Sequence, residues 1–350
     1  VNKLSLSLGG GLWVFAGRPR LGDSLAVTEK IESGHLHRGI NWHFFEKTPV
    51  FFCIQPDVIR WLLTVKPEIL IISANQRFLT NWVLAILQRI RGKQVLGWGL
   101  WPPSERKLLN IVFEFSWHIF SRIPNAHIMY SEKHKRSCIA LGIDGSKMFV
   151  APNAVIAAPA EVTTRLAPGE QLNLLFVGRL APQKRVDLLI SAAAKLSPAP
   201  NLWLVGDGPE AEVLKELSKS KYPKARFYGK LFGSELHDLF RKADLFVMPG
   251  TGGLALQEAL SFALPVVVGE ADGTQDDIVS EKNGWILREP TGDALAKILQ
   301  VAIDRKELLQ EMGMESYAIA KYRVNLDIML KEFLKAIDKS SSYSIYKNII

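Results

Sequence analysis

Cysteine is nearly missing from this sequence: Cys53 and Cys138 are the only two in 350 residues. Two thiols cannot form a disulfide framework or a zinc site, so a reducing compartment is expected. No run of about 18 apolar residues occurs, which argues against a membrane-spanning helix. The opening segment VNKLSLSLGGGLWVF has one lysine and no long apolar core, so no secretory leader is expected. No Asp-x-Asp pair is present to offer a metal site. There is also no low-complexity tract and no internal repeat of about 20–50 residues, which excludes a solenoid.

What is present is ordinary globular composition, with 48% hydrophobic and 22% charged residues. The length suits two domains of roughly 150 to 200 residues each. The net charge of +8 is divided unevenly. Residues 1–155 hold 19 Lys and Arg against 10 Asp and Glu, whereas residues 156–350 hold 24 against 25. Seven of nine tryptophans and six of seven histidines also precede residue 156. Basic and aromatic residues mixed in this way raise nucleic-acid binding as one reading. No recognised nucleic-acid module accompanies them, so a generic basic face is the better reading and no nucleic-acid partner is expected.

In the second half, apolar runs alternate with helical patterns. The runs are LNLLFVG (172–178), NLWLVG (201–206), ARFYG (225–229), DLFVMP (244–249), LPVVVG (264–269) and GWILRE (284–289). Strands separated by helices predict βαβ units, a parallel sheet and helices on both faces. Ligands then bind outside the carboxyl ends of the strands. The first half is less regular, with strands expected at 68–74, 94–100, 126–131 and 148–153. Its helix candidates are FLTNWVLAILQRIRG and ERKLLNIVFEFSWHIFSRI. Residues before about 50 are hard to place. The Ala-, Pro- and Thr-rich segment 153–171 reads as an interdomain linker.

Three glycine turns follow expected strands. In FVGRLAPQKRVDLLI (176–190) a strand ends at Gly178, Arg179 follows, and Lys184 stands just before a helix. Two cations beside a helix start suit a diphosphate; a solvated Arg and Lys is the plain alternative. VGDGPEA (205–211) formally satisfies a dinucleotide pattern, but no acid stands about 20 residues on to hold a ribose. It reads as a turn and a helix start, with Pro209 in the first turn, and an NAD-dependent oxidoreductase rests on it alone. In VMPGTGGLALQEALSFALPVVV (247–268), Gly252 and Gly253 let the backbone approach a ligand, and a helix begins at Leu254. Glu258 is the single charge in that stretch, one turn into a helix apolar nearly all round. A carboxylate there needs partners, and ligand hydroxyls are good ones.

Taken together, VGRLAPQKRVDLLI, VGDGPE, ADLFVMPGTGGLALQEALSFALPVVV and NGWIL resemble the donor half of retaining glycosyltransferases of the GT-B fold, family 4 (glycosyl transferases group 1). The resemblance runs over about residues 148–305, in order and at family spacing. It implies an α/β protein of two Rossmann-like domains facing a cleft. The expected division is an acceptor-binding domain at 1–155, a nucleotide-sugar domain at 156–325, and a C-terminal helix at 326–350 packing back on the first. Arg179 and Lys184 would be the catalytic cations at the diphosphate. Glu258 would hold the nucleotide ribose, and Gly178, Gly250, Gly252, Gly253 and Leu254 would line the donor. The backbone around Lys230 would meet the base.

Two positions depart from the family pattern. The family places a first acid eight residues before Glu258, where this chain has Gly250. In GWGLWPP (97–103) tryptophans and prolines stand where the family commonly has a histidine. The resemblance implies a metal-independent retaining transfer with a nucleotide-diphosphate sugar as donor, no cofactor, and a glycan or lipid-linked acceptor. A nucleotide-sugar-binding protein that has lost catalysis is the alternative that Gly250 favours. The basic, Trp-rich first half further leads to the expectation of a cytoplasmic protein in peripheral contact with the membrane's cytoplasmic face.

Overall fold

The computed structural model describes residues 1–17, 30–45, 48, 51–99, 110–163, 168–271 and 273–340, with backbone alone at 110–114 and 340. The chain divides into two compact units, one of Val1–Ala151 with Leu330–Ile350 and the other of Pro152–Met329.

The first unit begins with α1 (Asn2–Ser7), then β1 (Trp13–Gly17), β2 (His35–Gly39), β3 (Trp42–Phe44) and β4 (Phe52–Ile54). It continues through α2 (Val58–Val65), β5 (Ile69–Ser73), α3 (Leu79–Ile90), β6 (Gln94–Gly99), α4 (Asn110–Phe120), β7 (Ala126–Met129), α5 (Glu132–Ala140) and β8 (Met148–Val150). β5 to β8 form a parallel four-stranded sheet in sequence order. The residues hard to place by sequence form two small pairs outside it, β1 with β2 parallel and β3 with β4 antiparallel. Leu62, Val95, Phe120, Met129 and Cys138 are among the residues closing the core. Burial pushes the Cys138 thiol up to about 12, which keeps it protonated and unreactive. α5 starts where the Ser131 hydroxyl accepts from the His134 amide at 3.1 Å. Of the GWGLWPP segment only Gly97–Gly99 lie among the described residues, as do residues 110–120 of the second helix candidate.

The second unit carries β9 (Asn173–Val177), α6 (Val186–Ala193), β10 (Asn201–Val205), α7 (Ala211–Lys221), β11 (Arg226–Gly229), α8 (Gly233–Lys242) and β12 (Leu245–Met248). After these come α9 (Ala255–Ser261), β13 (Val266–Gly269), β14 (Gly284–Leu287), α10 (Gly292–Asp304), α11 (Leu309–Tyr322) and α12 (Leu326–Ser340). Its six strands are all parallel, in the order β11-β10-β9-β12-β13-β14. Every residue of β12 and β13 is buried, as apolar strands covered on both faces must be. Full burial of each such Val, Leu or Phe contributes about 1.5–3 kcal/mol. The order reverses between β9 and β12, and that is the switch point where this sheet class binds ligands.

The segment 153–171 packs on the second unit through its described residues. Ile156 O accepts from the Leu326 amide at 2.8 Å, Pro159 O from the Tyr317 hydroxyl at 3.2 Å, and Gly169 O from Lys306 Nζ at 3.0 Å. α12 starts in the second unit and ends in the first. There Phe333 meets the Trp98 ring edge to face at 5.3 Å, and Lys339 Nζ donates to Ser146 O at 2.5 Å.

Candidate functional site

At the switch point the loops after β9 and β12 meet backbone to backbone. The first runs from Gly178 through a 3-10 turn at Pro182–Lys184 into α6. The second runs from Pro249 to Leu254 ahead of α9. The Thr251 amide donates to Gln183 O at 2.8 Å. Lys184 Nζ donates to Thr251 O at 2.7 Å and to Gly252 O at 2.6 Å. A half-buried cation is thereby fixed on the glycine turn. Arg179, directly after Gly178 on the β9 loop, is exposed, and its guanidinium makes no hydrogen bond or ion pair among the described residues.

The glycines of this turn have different physical reasons. A Cβ on buried Gly250 would stand 2.1 Å from Gln183 O and 2.5 Å from the Lys184 carbonyl carbon. No side chain fits between those backbones as they lie, which is a physical reason for glycine at this position. A Cβ on Gly252 would meet Gln275 Nε2 at 2.1 Å. At Gly253 the nearest atom is Lys184 Nζ at 3.2 Å, so this Cα faces the cation. Leu254 is exposed as the N-cap of α9, which starts at Ala255, one residue later than the sequence indicates, and no side chain caps it.

Gly178 ends β9 with its amide donating to Val205 O at 3.0 Å. The dinucleotide-like glycines of the β10 loop pack against this same segment. A Cβ on Gly206, whose φ is +132°, would stand 1.8 Å from Gly178 O, and one on Gly208 would stand 2.2 Å from Leu180 O. The Leu180 amide donates to Asp207 O at 2.9 Å. Close loop packing is a physical reason for both glycines. Pro209 lies in the turn before α7 and not in its first turn, because the helix starts only at Ala211. Lys230 follows β11, exposed, with its Nζ 3.6 Å from the Asp207 carboxylate.

Glu258 sits in the first turn of α9, partly buried. Ligand hydroxyls are the partners the sequence suggests; the fold supplies another, His237 of α8, with Nε2 3.2 Å from Oε1. The His237 ring leans on Phe262 at 5.1 Å, and Phe262 stacks on Phe240 at 5.3 Å. Buried Gln257 fixes the same helix from its other side, donating to Asn153 O at 2.6 Å and accepting from the Val155 amide at 3.3 Å. Sequence reasoning missed His237, Gln257 and Gln275. The one available signal was His237, the single histidine of the second half.

Lys184, Thr251, Gly250, Gly252 and Gly253 thus form one cluster, and Arg179 belongs to the same β9 loop as Lys184. Residues 161–318 match the family model described as "Glycosyl transferases group 1". A sulfoquinovosyl transferase of Arabidopsis thaliana is 27% identical over 69% of this chain and 50% of its own length. A GDP-mannose-dependent alpha-(1-6)-phosphatidylinositol monomannoside mannosyltransferase of Mycobacterium tuberculosis is 26% identical over 72% of this chain and 70% of its own. A GDP-mannose-dependent alpha-mannosyltransferase of the same species is 40% identical over 34% of this chain and 30% of its own. The chain therefore spans half or less of the length of two of these relatives. Among solved structures, Anabaena HepE in complex with UDP superposes with a TM-score of 0.67 at 18% identity, covering 87% of this chain and 86% of that one. Sucrose-phosphate synthase from Thermosynechococcus elongatus gives 0.69 at 15% identity, covering 96% and 91%. At such identities the likeness concerns the fold, and it is the GT-B fold expected from the sequence. Residues 161–318 thus carry the likeness to the glycosyl transferases group 1.

Proposed function

We propose that this protein is a retaining glycosyltransferase that moves a sugar from a nucleotide-diphosphate sugar to a glycan or lipid-linked acceptor without a metal. One observation carries the reading: the ammonium of Lys184 is held on the Thr251 and Gly252 carbonyls at the switch point. Breaking the sugar–phosphate bond leaves negative charge on the departing diphosphate. Preorganised cations at that place stabilise the developing charge. Glu258 would accept from the ribose hydroxyls, with His237 orienting its carboxylate. The acceptor hydroxyl would attack from the leaving-group face and pass its proton to a donor phosphate oxygen. The names of the relatives support a nucleotide sugar as donor, since two act with GDP-mannose and HepE was crystallised with UDP.

The second reading, a donor-binding protein without turnover, rests on Gly250. Thermal-shift measurements with UDP-, GDP- and ADP-sugars, followed by product analysis, separate the two. Stabilisation by one nucleotide series, with turnover that survives chelator and an unchanged anomeric configuration, is the expected result. Stabilisation without turnover on any acceptor supports the second reading. No response to any nucleoside diphosphate overturns both.

A further inference from the structure

The outer helices of the first unit leave an aliphatic stripe uncovered. On α3, Leu79, Val83, Ile86 and Ile90 are 41% to 77% exposed. Spacings of four, three and four place them within about 60° of arc, along about 16 Å of helix. The buried side of the same helix is Thr80, Asn81, Leu84, Ala85 and Gln88, so the stripe is not needed for the core. α4 adds Phe115 and Ile119, also exposed and one turn apart.

The two lines face the same way. α3 and α4 touch through Trp82 and Phe120, whose rings lie 4.8 Å apart. Both helices are crossovers between consecutive parallel strands, so they run in the same direction. Trp82 lies about 70° from the midline of the α3 stripe and Phe120 about 120° from that of Phe115 and Ile119, on opposite sides. Neighbouring parallel helices joined in that way turn their remaining lines outward together. Leu63 of α2, which packs beside α3, is exposed as well.

The rim is basic. Arg60 on α2, Arg89 and Arg91 at the end of α3, and Arg122 after α4 reach the surface, whereas α3 itself contains no acid. Of the nearby acids, Glu68 is paired with Lys93, and α4 carries one, Glu114, directly before Phe115. Among the described residues no helix is long and apolar enough to cross a membrane. A second copy of the chain would set this cationic rim against itself.

We propose that the α3–α4 face is the docking surface for an anionic membrane. Leu79, Val83, Ile86, Ile90, Phe115 and Ile119 enter the acyl boundary, and Arg60, Arg89, Arg91 and Arg122 meet lipid phosphates. This is the balance of apolar area and positive charge that holds helices in an interface. It extends the lipid-linked-acceptor reading above, and because its assay reads binding alone, the two fail separately.

The test is co-sedimentation of the purified full chain with phosphatidylcholine vesicles, with and without about one part in three phosphatidylglycerol. Binding to the anionic vesicles is expected, falling with salt. The I86E/I90E variant should lose at least about tenfold in vesicle affinity, and R89Q/R91Q should lose less and flatten the salt dependence. Circular dichroism and melting check the fold, and I86S/I90S serves if the glutamates disturb it. Three results would overturn the proposal: no binding to anionic vesicles at low salt, binding that both isoleucine variants retain, or a wild-type dimer by light scattering that those variants dissociate.

Discussion

The two units use their backbones and surfaces in opposite ways. In the second unit the loops after β9, β10 and β12 touch through bare backbone, with Gly206, Gly208 and Gly250 each filling a place where a Cβ would overlap a neighbour. In the first unit the sheet has four strands with two small pairs beside it, and the outer helices turn aliphatic side chains to solvent. The lesson is physical. A loop cluster locked by backbone contact can hold a small anion in one geometry, whereas a row of side chains on a helix suits a broad, yielding partner. The division of charge, a basic first half against a balanced second half, follows the same line.

The comparison breaks most visibly at Gly250. Gly250→Glu restores the acid of the family pattern, yet it should lower stability by about 3 kcal/mol or more, because the new Cβ overlaps Gln183 O and a charge becomes buried. Thermal melting checks this, and a stable variant would show that the loops separate easily. Acid should act on the first unit. Burial lowers the His127 pKa to about 4 from an ordinary 6.5, with the Lys147 charge adding and the Ser121 backbone bond opposing. The unfolded chain takes up this proton below about 6.5, the folded chain only near 4. The full contribution is therefore present above 6.5 and is lost as pH falls, by up to about 3 kcal/mol. Hydrogen exchange should show β5–β8 loosening over that range, and His127→Asn should remove the effect.

Within the site, Lys184→Met and Arg179→Ala should each weaken nucleoside-diphosphate binding by about 1.5–3 kcal/mol in calorimetry. Only the lysine variant should also lower the melting temperature, since its ammonium ties down Thr251 and Gly252 while Arg179 stands in solvent. The smallest effect is expected at Glu258. Glu258→Gln keeps the size and loses the charge, and should reduce the affinity of nucleoside diphosphate and matching nucleotide sugar equally, by about 1 to 3 kcal/mol. Unequal losses would place Glu258 against the sugar instead of the ribose.

All six strands of the second unit were legible in the sequence, because each is a short apolar run bounded by Gly, Pro or polar residues. Four strands of the first sheet were legible for the same reason. The segments before residue 50 were not, because β1 and β2 are held by contacts such as the Trp13–His35 stack at 4.0 Å, which leave no alternation to read. In the site, Arg179, Lys184 and the glycine turn stood out as motifs. Gln275 against Gly252 and His237 on Glu258 did not, since both pairs join residues about 20 apart on separate elements.

The sequence by itself determined the α/β class, the order of the parallel strands along the chain and the cations placed after β9. Local pattern suffices there, because strand and helix periods and turn residues act over a few neighbours. Tertiary structure alone decided why Gly250 carries no side chain, which partner Glu258 has, and that α3 shows its aliphatic stripe to solvent. Those depend on which backbone comes within a few ångströms of which, and that distance is written only in the packed chain.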